Sequence, residues 1–212
     1  MTRVKICGVT TPGDVRMAAA AGANAIGLNF YPKSPRYVPP ADAAPLLRAV
    51  PPFVDAAGVF VGLKIRQISA IAYQLGLGTI QTFADPDDRD DPYPFRFVAA
   101  FRVKDQAGLN DIIRYLDRCR DGGRFPAAVL VDAHVEGQLG GTGKAAPWNL
   151  LADFRPNVPL ILAGGLTPDN VAEAIRIVRP WAVDVASGVE TSPGRKDPDK
   201  VRLFIDQARN AE

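Results

Sequence analysis

The sequence predicts an α/β protein in which eight βα units close into one barrel. Short apolar strands alternate with helical segments along all 212 residues, an order that produces a parallel sheet covered by helices. The strands are almost continuous apolar runs, typical of strands buried on both faces. A Thr-Pro motif at residues 11–18 is similar to residues 167–174, and repeated units favour a closed barrel over an open sheet. We therefore predict a compact (β/α)8 TIM barrel forming one domain over residues 1–212.

The eight predicted strands are runs of aliphatic and β-branched residues bounded by Gly, Pro, Asn or Asp, the composition expected of buried strands. Because side chains alternate along a strand, every second residue should point into the barrel. In chain order the strands cover residues 3–7, 25–30, 54–61, 79–83, 97–102, 127–132, 159–163 and 182–186.

Capping residues predict where the first helices begin. Thr11 is the expected N-cap of the first helix, with Pro12 at its first position and Asp14 at its third, a combination typical of helix starts. Asp42 is predicted to cap the second helix, which ends near residue 50.

Apolar spacing predicts the third and fifth helices. Residues three and four apart lie on one helix face, so such a spacing marks the buried side. A short helix is predicted near 148–154, another after Thr167-Pro168-Asp169, and the last over 197–208. The apolar faces are Ile65, Ile68, Ala72 and Leu75 in the third helix, and Leu109, Ile112, Ile113 and Leu116 in the fifth.

The fourth helix is the exception to the alternation. Residues 84–95 contain three prolines among five aspartates, and prolines at that density break a helix. We therefore predict that the helix after the fourth strand is missing or strongly reduced.

Composition excludes several classes of protein. The chain is 47% hydrophobic and 23% charged, with a net charge of +2 and no basic stripe, which argues against nucleic-acid binding. No apolar run approaches the roughly 20 residues of a membrane span, and no signal peptide is predicted. Cys7 and Cys119 are too few for a disulfide framework and are predicted to be reduced thiols of a cytoplasmic protein. One histidine and two cysteines also argue against a structural zinc site.

Glycine-rich turns after the last two strands indicate a phosphate site. Gly164 and Gly165 follow the seventh strand, and Ser187 and Gly188 follow the eighth. In barrels of this kind, these two loops often bind phosphate through backbone N–H groups. The other interpretation is that both are only tight turns.

Strand alternation turns several polar side chains into the barrel. Asp132 and Asp184 are predicted to face inward, and inward carboxylates need partners or a function. Lys5, one layer below Cys7, is the candidate partner, so a buried Lys5–Asp184 ion pair and a functional role for Asp184 both stay open. For Asp132, at the very end of its strand, a function is favoured.

Two further residues could carry chemistry. Cys7 ends the first strand, where it is either a small buried hydrophobe or a reactive thiol. Arg36 follows the second strand, and its planar fork suits a carboxylate unless it is simply a solvated loop residue.

Short motifs in the same order along the whole chain resemble the phosphoribosylanthranilate isomerase family of tryptophan biosynthesis. Each motif is weak alone, but the set is highly specific. The motifs are Lys5-Ile6-Cys7-Gly8, Phe30-Tyr31-Pro32-Lys33-Ser34-Pro35-Arg36, Gly140-Gly141-Thr142-Gly143, Ala163-Gly164-Gly165-Leu166, Asp169-Asn170-Val171, Val183-Asp184-Val185-Ala186-Ser187-Gly188-Val189-Glu190 and Pro193-Gly194-Arg195-Lys196-Asp197.

The resemblance implies an Amadori rearrangement of N-(5-phosphoribosyl)anthranilate to 1-(2-carboxyphenylamino)-1-deoxyribulose 5-phosphate, without metal or organic cofactor. It implies that Asp132 is the general acid, Cys7 the general base and Arg36 the contact for the anthranilate carboxylate. The remaining candidate substrate-binding residues are Gly141 in a glycine-rich loop that could act as a lid, Gly164, Gly165, Asp184, Ser187 and Gly188.

The fourth strand departs from the family, which usually has Gln-Leu-His-Gly where this chain has Gln81-Thr82-Phe83-Ala84. The change motivates one alternative, a non-catalytic barrel that binds a phosphoribosyl ligand. A second alternative is an isomerase that also accepts the aminoaldose of the histidine pathway. The expected partner is a small phosphorylated substrate, with no nucleic acid or membrane, and the expected assembly is a monomer or homodimer.

Overall fold

Eight parallel strands close into a barrel in sequence order, with β8 hydrogen-bonded to β1. The computed structural model describes residues 1–83, 95–122, 125–133 and 148–211. The predicted (β/α)8 barrel is confirmed. The strands are β1 (Arg3–Cys7), β2 (Ala25–Asn29), β3 (Asp55–Phe60), β4 (Thr79–Phe83), β5 (Arg96–Arg102), β6 (Ala128–Asp132), β7 (Leu160–Ala163) and β8 (Ala182–Val185).

Seven α-helices lie in the described ranges. The helix predicted to be missing or strongly reduced falls on residues 84–94, which lie outside those ranges. The helices are α1 (Pro12–Ala20), α2 (Ala44–Arg48), α3 (Ile65–Leu75), α4 (Gln106–Asp121), α5 (Trp148–Leu151), α6 (Val171–Val178) and α7 (Pro198–Arg209).

The predicted start of α1 is confirmed, but that of α2 is wrong. The Thr11 side chain accepts a hydrogen bond from the Asp14 backbone N–H at 3.1 Å. Asp42 instead ends a 3₁₀ turn, Pro40–Asp42, and α2 begins after Ala43 without a side-chain cap. Pro39 and Pro40 restrict the backbone φ angle, and a tight turn forms at Pro40–Asp42, just before α2.

The predicted buried face of α4 is wrong at one residue, Ile113. Ile113 is 47% exposed, whereas Tyr115 is buried. The Tyr115 ring packs edge-on against Phe101 of β5, with ring centroids 5.3 Å apart. The buried face of α4 is therefore formed by Leu109, Ile112, Tyr115 and Leu116, and Ile113 lies outside it.

The apolar core has two layers separated by the strands. Residues such as Val129 and Val131 pack outward beneath the helices, whereas Leu130 points into the barrel. The predicted alternation of β6 is therefore confirmed. The inner layer consists of Val98, Ala100, Ala128, Leu130, Ile161, Ala163 and Ala182.

A small antiparallel hairpin that the strand pattern did not predict follows the barrel. After a 3₁₀ turn at Ser187–Val189, β9 (Glu190–Ser192) pairs with β10 (Arg195–Lys196). Its turn residue Gly194 has φ +82°, a conformation that glycine adopts readily. The Thr10 hydroxyl donates to the Gly194 carbonyl at 2.7 Å, so the hairpin is fastened to the loop after β1.

None of the helices in the described residues has the length and apolarity needed to cross a lipid bilayer.

Candidate active site

Cys7 lies at the carboxyl end of β1 with its thiol over the neighbouring strand. A Cβ added at Gly27 of β2 would stand 2.8 Å from the Cys7 Sγ and 3.1 Å from the Lys5 Cε. Gly27 therefore supplies the space that both side chains occupy. Cys7 is buried, and its neighbour on the inward face is the charged end of Lys5, which is the environment of a reactive thiol rather than an inert one.

Lys5 is held by two partners inside the barrel. Its Nζ donates to the Asp184 Oδ1 at 2.8 Å and to the Gln81 Oε1 at 3.0 Å, and all three residues are buried. The predicted Lys5–Asp184 contact is present. Sequence reasoning missed Gln81 as its third member, because Gln81 was considered only as part of the altered fourth-strand motif.

The protonation states in this network have opposing causes. Burial disfavours the charged form of Lys5, but the charges and hydrogen bonds of Asp184 and Cys7 together outweigh it and raise the pKa of Lys5, so the ammonium persists. Burial raises the pKa of the Cys7 thiol, the Asp184 charge raises it further, and the Lys5 charge offsets part of the rise. Lys5 is thus the group that makes a buried thiolate attainable at this position.

Asp132 ends β6 at the same edge of the barrel as Cys7 on β1. It is half-buried, and it lies beside Ala163 of β7 and Arg102 of β5 in the strand register. The carboxyl ends of parallel strands surround one opening. A ligand in that opening can therefore meet both the thiol and the carboxyl group.

The two glycine turns of the predicted phosphate site pack against each other. Gly164 and Gly165 have φ of 92° and 64°, values that favour glycine. A Cβ added at Gly188 would stand 1.9 Å from the Leu166 carbonyl oxygen. The loops after β7 and β8 therefore pack backbone to backbone at Gly188 and Leu166.

The loop after β7 is braced by Asn170, which corrects the predicted likeness between the starts of α1 and α6. The Asn170 Oδ1 accepts from the Thr167 N–H at 2.8 Å, and its Nδ2 donates to the Gly165 carbonyl at 3.0 Å. Thr167 thus donates its backbone N–H to Asn170, and no bond from its side chain caps the helix. The asparagine therefore ties the start of α6 to the glycine turn after β7.

Substituting Gly188 by alanine tests this close packing. The added methyl group has to displace the Leu166 carbonyl, so we expect a stability loss of about 1–3 kcal/mol and a higher KM for a phosphorylated ligand. Thermal unfolding and steady-state kinetics measure the two effects. Gly78→Ala is the control for adding a methyl group, because the nearest atom to a Cβ at Gly78 is the Arg96 Nη2 at 3.5 Å and neither Gly78 nor Gly188 has a positive φ. If Gly188→Ala behaves like Gly78→Ala, close packing of the loops is contradicted.

Arg36 is not a solvated loop residue. Its stem crosses Gly8, the residue after Cys7, where an added Cβ would stand 2.3 Å from the Arg36 Cδ. Its Nε and Nη2 donate to the two carboxylate oxygens of Glu190 at 2.8 and 2.6 Å. The guanidinium is therefore fixed beside Cys7 by a partner that the sequence analysis did not assign.

Lys196 completes this second charged cluster. Its Nζ donates to the Glu190 Oε1 at 2.8 Å and to the Ala186 carbonyl at 3.0 Å. Burial alone would raise the pKa of Glu190, but the bonds from Arg36 and Lys196 lower it below its usual range. Burial lowers the pKa of Lys196, and the Glu190 carboxylate opposes that change.

The altered fourth strand contributes one residue to the barrel interior and one near the opening. Gln81 binds Lys5 inside, and Phe83 lies near the opening with the Arg102 guanidinium 5.2 Å from its ring centroid. The predicted substrate residue Gly141 and the candidate lid lie outside the described residues. Among the residues that are described, no group of three or more His, Cys, Asp or Glu could hold a metal ion.

Known proteins similar to this chain share one description. The family model for N-(5'phosphoribosyl)anthranilate (PRA) isomerase matches residues 4–207. A relative from Trichlorobacter lovleyi, named N-(5'-phosphoribosyl)anthranilate isomerase, is 44% identical over 214 residues and covers 100% of both chains.

Solved structures agree with that description. The phosphoribosyl anthranilate isomerase of Thermotoga maritima has a TM-score of 0.83 at 36% identity over 99% of each chain. One complexed with reduced 1-(o-carboxyphenylamino)-1-deoxyribulose 5-phosphate has a TM-score of 0.80 at 34% identity over 99% of each chain. Monomers of the dimeric Thermotoga maritima isomerase give 0.80 at 33% identity over the same shares.

Proposed function

This chain belongs to the N-(5'-phosphoribosyl)anthranilate isomerase family, and from that premise we propose how its own residues perform the reaction. The protein is an isomerase of tryptophan biosynthesis. It converts N-(5-phosphoribosyl)anthranilate to 1-(2-carboxyphenylamino)-1-deoxyribulose 5-phosphate. The non-catalytic alternative raised by the fourth strand loses its support, because the match to named isomerases extends over the full chain.

The first step assigned to the site is ring opening by Asp132. Its carboxyl group donates a proton to the ribose ring oxygen as the C1′–O bond breaks, and the nitrogen lone pair forms a cationic imine. Asp132 has to carry a proton to begin this step. Its half-buried place at the end of β6 leaves it reachable by the sugar.

The second step is removal of the C2′ proton by the Cys7 thiolate. The cationic imine makes that proton acidic, so a thiolate is a sufficient base. The electrons of the C2′–H bond form an enolamine, which becomes the ketone when C1′ gains a proton and the 2′-hydroxyl loses one. No proton is gained or lost overall, as an isomerisation requires.

The two ends of the substrate are held by different loops. Backbone groups of Gly164, Gly165, Ser187 and Gly188 would bind the phosphate, and Arg36 would bind the anthranilate carboxylate. Fixing both ends places C2′ at Cys7 and replaces a random encounter with a positioned one. Asp184 acts from beneath, through Lys5, which supplies positive charge to the thiolate.

One observation carries this proposal: the Cys7 thiol stands over Gly27 with the Lys5 ammonium beneath it, at the edge where the glycine turns also meet. Purified protein should deplete the fluorescence of phosphoribosylanthranilate with time, in proportion to enzyme concentration. Fluorescence that decays no faster than the spontaneous rate would contradict the activity.

Replacing Arg36 by alanine should raise KM by about tenfold or more while kcat changes little, because a charge-assisted bidentate contact is lost away from the reacting carbon. Steady-state kinetics with the natural substrate measure both constants. An unchanged KM would remove Arg36 from the substrate site. Arg155→Ala is the matched control, since Arg155 is exposed and bonds only local carbonyls in the described residues.

The proposal extends to the whole protein as one barrel domain that acts in the cytoplasm on a small phosphorylated substrate. The solved relatives include a dimeric isomerase, and for this chain a monomer or homodimer is proposed. Sedimentation velocity over a concentration series distinguishes the two, and a larger assembly would contradict both.

A further inference from the structure

We propose that Glu190 and Lys196 are positioning residues that aim Arg36 at the substrate carboxylate and keep an excess positive charge beside it. The inference rests on the proposed contact between Arg36 and that carboxylate. Neither residue needs to touch the substrate. Each acts through the orientation or the charge of the arginine.

The orientation of Arg36 is fixed by contacts from two sides. Glu190 accepts from Nε and Nη2 at 2.8 and 2.6 Å, two parallel bonds that define the guanidinium plane. Gly8 leaves room for the stem, which lies closer than any side chain would allow. The donors that these two bonds do not use are those of Nη1 and the second hydrogen of Nη2, which leaves a second edge of the fork for a ligand.

The charge of the cluster depends on Lys196. Arg36 and Glu190 alone would form a neutral pair, which is poorly suited to attract an anion. Lys196 adds one positive charge through its 2.8 Å contact with the Glu190 carboxylate, although its side chain is 0% exposed. Burying an ammonium is costly unless it is paired, so its place here calls for a role that an apolar residue could not fill.

Lys196 also connects the two ends of the site. The same Nζ donates to the Ala186 carbonyl at 3.0 Å, immediately before Ser187 and Gly188 of the phosphate turn. The hairpin that carries it is held by the Thr10 hydroxyl on the Gly194 carbonyl at 2.7 Å. Lys196 is therefore bonded both to the Glu190 carboxylate, which orients Arg36, and to the Ala186 carbonyl, which precedes the proposed phosphate turn.

The opposing interpretation is that Lys196 only fastens the hairpin. The chain offers a matched control for that role, because Lys200, four residues further along the chain in the first turn of α7, donates its Nζ to the Glu190 backbone carbonyl at 2.9 Å. Lys200 therefore fastens the same segment without touching the carboxylate. Lys196→Met and Lys200→Met remove equal charge and similar contacts from neighbouring positions.

The test compares two substrates within each variant. One is N-(5-phosphoribosyl)anthranilate and the other is N-(5-phosphoribosyl)aniline, which lacks only the carboxylate. The measured quantity is kcat/KM for the anthranilate substrate divided by kcat/KM for the aniline substrate. This ratio does not depend on how much of a variant is folded. For Lys196→Met we expect this ratio to fall by about tenfold, through KM of the anthranilate substrate. Lys200→Met should keep the ratio of the unsubstituted protein.

Glu190→Gln provides an independent test of orientation. Its amide keeps the size of the side chain but can offer the guanidinium only one acceptor oxygen, so the ratio should again fall. A Lys196→Met variant that loses activity equally on both substrates, or keeps its ratio within twofold, would overturn the inference.

Arg36→Ala separates this inference from the proposed function. If Arg36→Ala lowers the ratio and Lys196→Met does not, the carboxylate contact stands and the positioning role is wrong. If Arg36→Ala itself leaves the ratio unchanged, the carboxylate contact and the positioning role are both wrong, while turnover of the natural substrate would still establish the isomerase activity.

Discussion

Replacing Cys7 by serine is expected to lower kcat by at least ~10², the share that a positioned general base contributes. Serine nearly preserves the size of the side chain above Gly27, so the fold should persist. Its hydroxyl does not ionise in the range where a thiol does, and the base is lost. Steady-state turnover of phosphoribosylanthranilate measures the effect.

The pH dependence of activity should report the same thiol. Burial raises the pKa of Cys7 above its ordinary value, and the thiolate is the reactive form. The kcat/KM should therefore rise with pH as the thiol deprotonates and level off only above the range of an ordinary cysteine. In Cys7→Ser that alkaline rise should disappear. Lys5→Met should shift the rise to still higher pH, since the Lys5 charge lowers the pKa of the thiol.

Cys119→Ser is the matched control. Cys119 is half-buried on α4 and belongs to neither charged cluster. It should retain full activity and the pH profile of the unsubstituted protein. Near-normal turnover in Cys7→Ser would remove Cys7 from the role of base, whatever the profile shows.

Replacing Asp132 by asparagine is also expected to lower kcat by at least ~10². The amide is close in size to the carboxyl group but cannot donate an acidic proton to the ring oxygen. Ring opening should then limit turnover. The Michaelis constant should change less than kcat, because phosphate and carboxylate binding involve other residues.

Thermal unfolding should accompany that measurement, because Asp132 also has contacts within the fold. Asp206→Asn, on the exposed side of α7, controls for the loss of one negative charge. A variant with near-normal kcat would show that another group supplies the proton. If Asp132→Asn is inactive because it is unfolded, Asp132→Glu is the second test. Glutamate keeps a carboxylic acid at this position and should recover part of the turnover.

Local chemistry made much of the fold predictable. Continuous apolar strands and the Thr11 cap each follow from residues near in sequence, and the structure agrees with both. The inward direction of Leu130 follows from a two-residue repeat. Two local predictions are wrong. Ile113 lies outside the buried face of α4, which includes Tyr115 instead, and a 3₁₀ turn at Pro40–Asp42 takes the place of the predicted Asp42 cap of α2.

The candidate site also contains residues that the sequence predicts and partners that it does not. Single residues at strand ends could be singled out, because topology alone brings strand ends to one opening. Strand alternation predicted Lys5 as a partner of Asp184, but the other partners could not be predicted. Arg36 and Glu190 are 154 positions apart, and nothing near Arg36 in the sequence indicates a carboxylate that fixes it. Gln81 matches the first residue of the family's fourth-strand motif, but nothing in that motif indicates its bond to Lys5, which spans 76 positions.

The sequence by itself determined the barrel, the Cys7 strand end and the glycine turns, because periodicity, capping and backbone freedom are properties of short segments. Only the tertiary structure decided between the open alternatives and supplied the other partners. It shows the Lys5–Asp184 pair beneath the thiol with Gln81 as its third member, and it brings Arg36 together with Glu190 and Lys196 beside the thiol. The physical reason is that electrostatic and hydrogen-bond partners are selected by distance in space, which closure of the barrel sets.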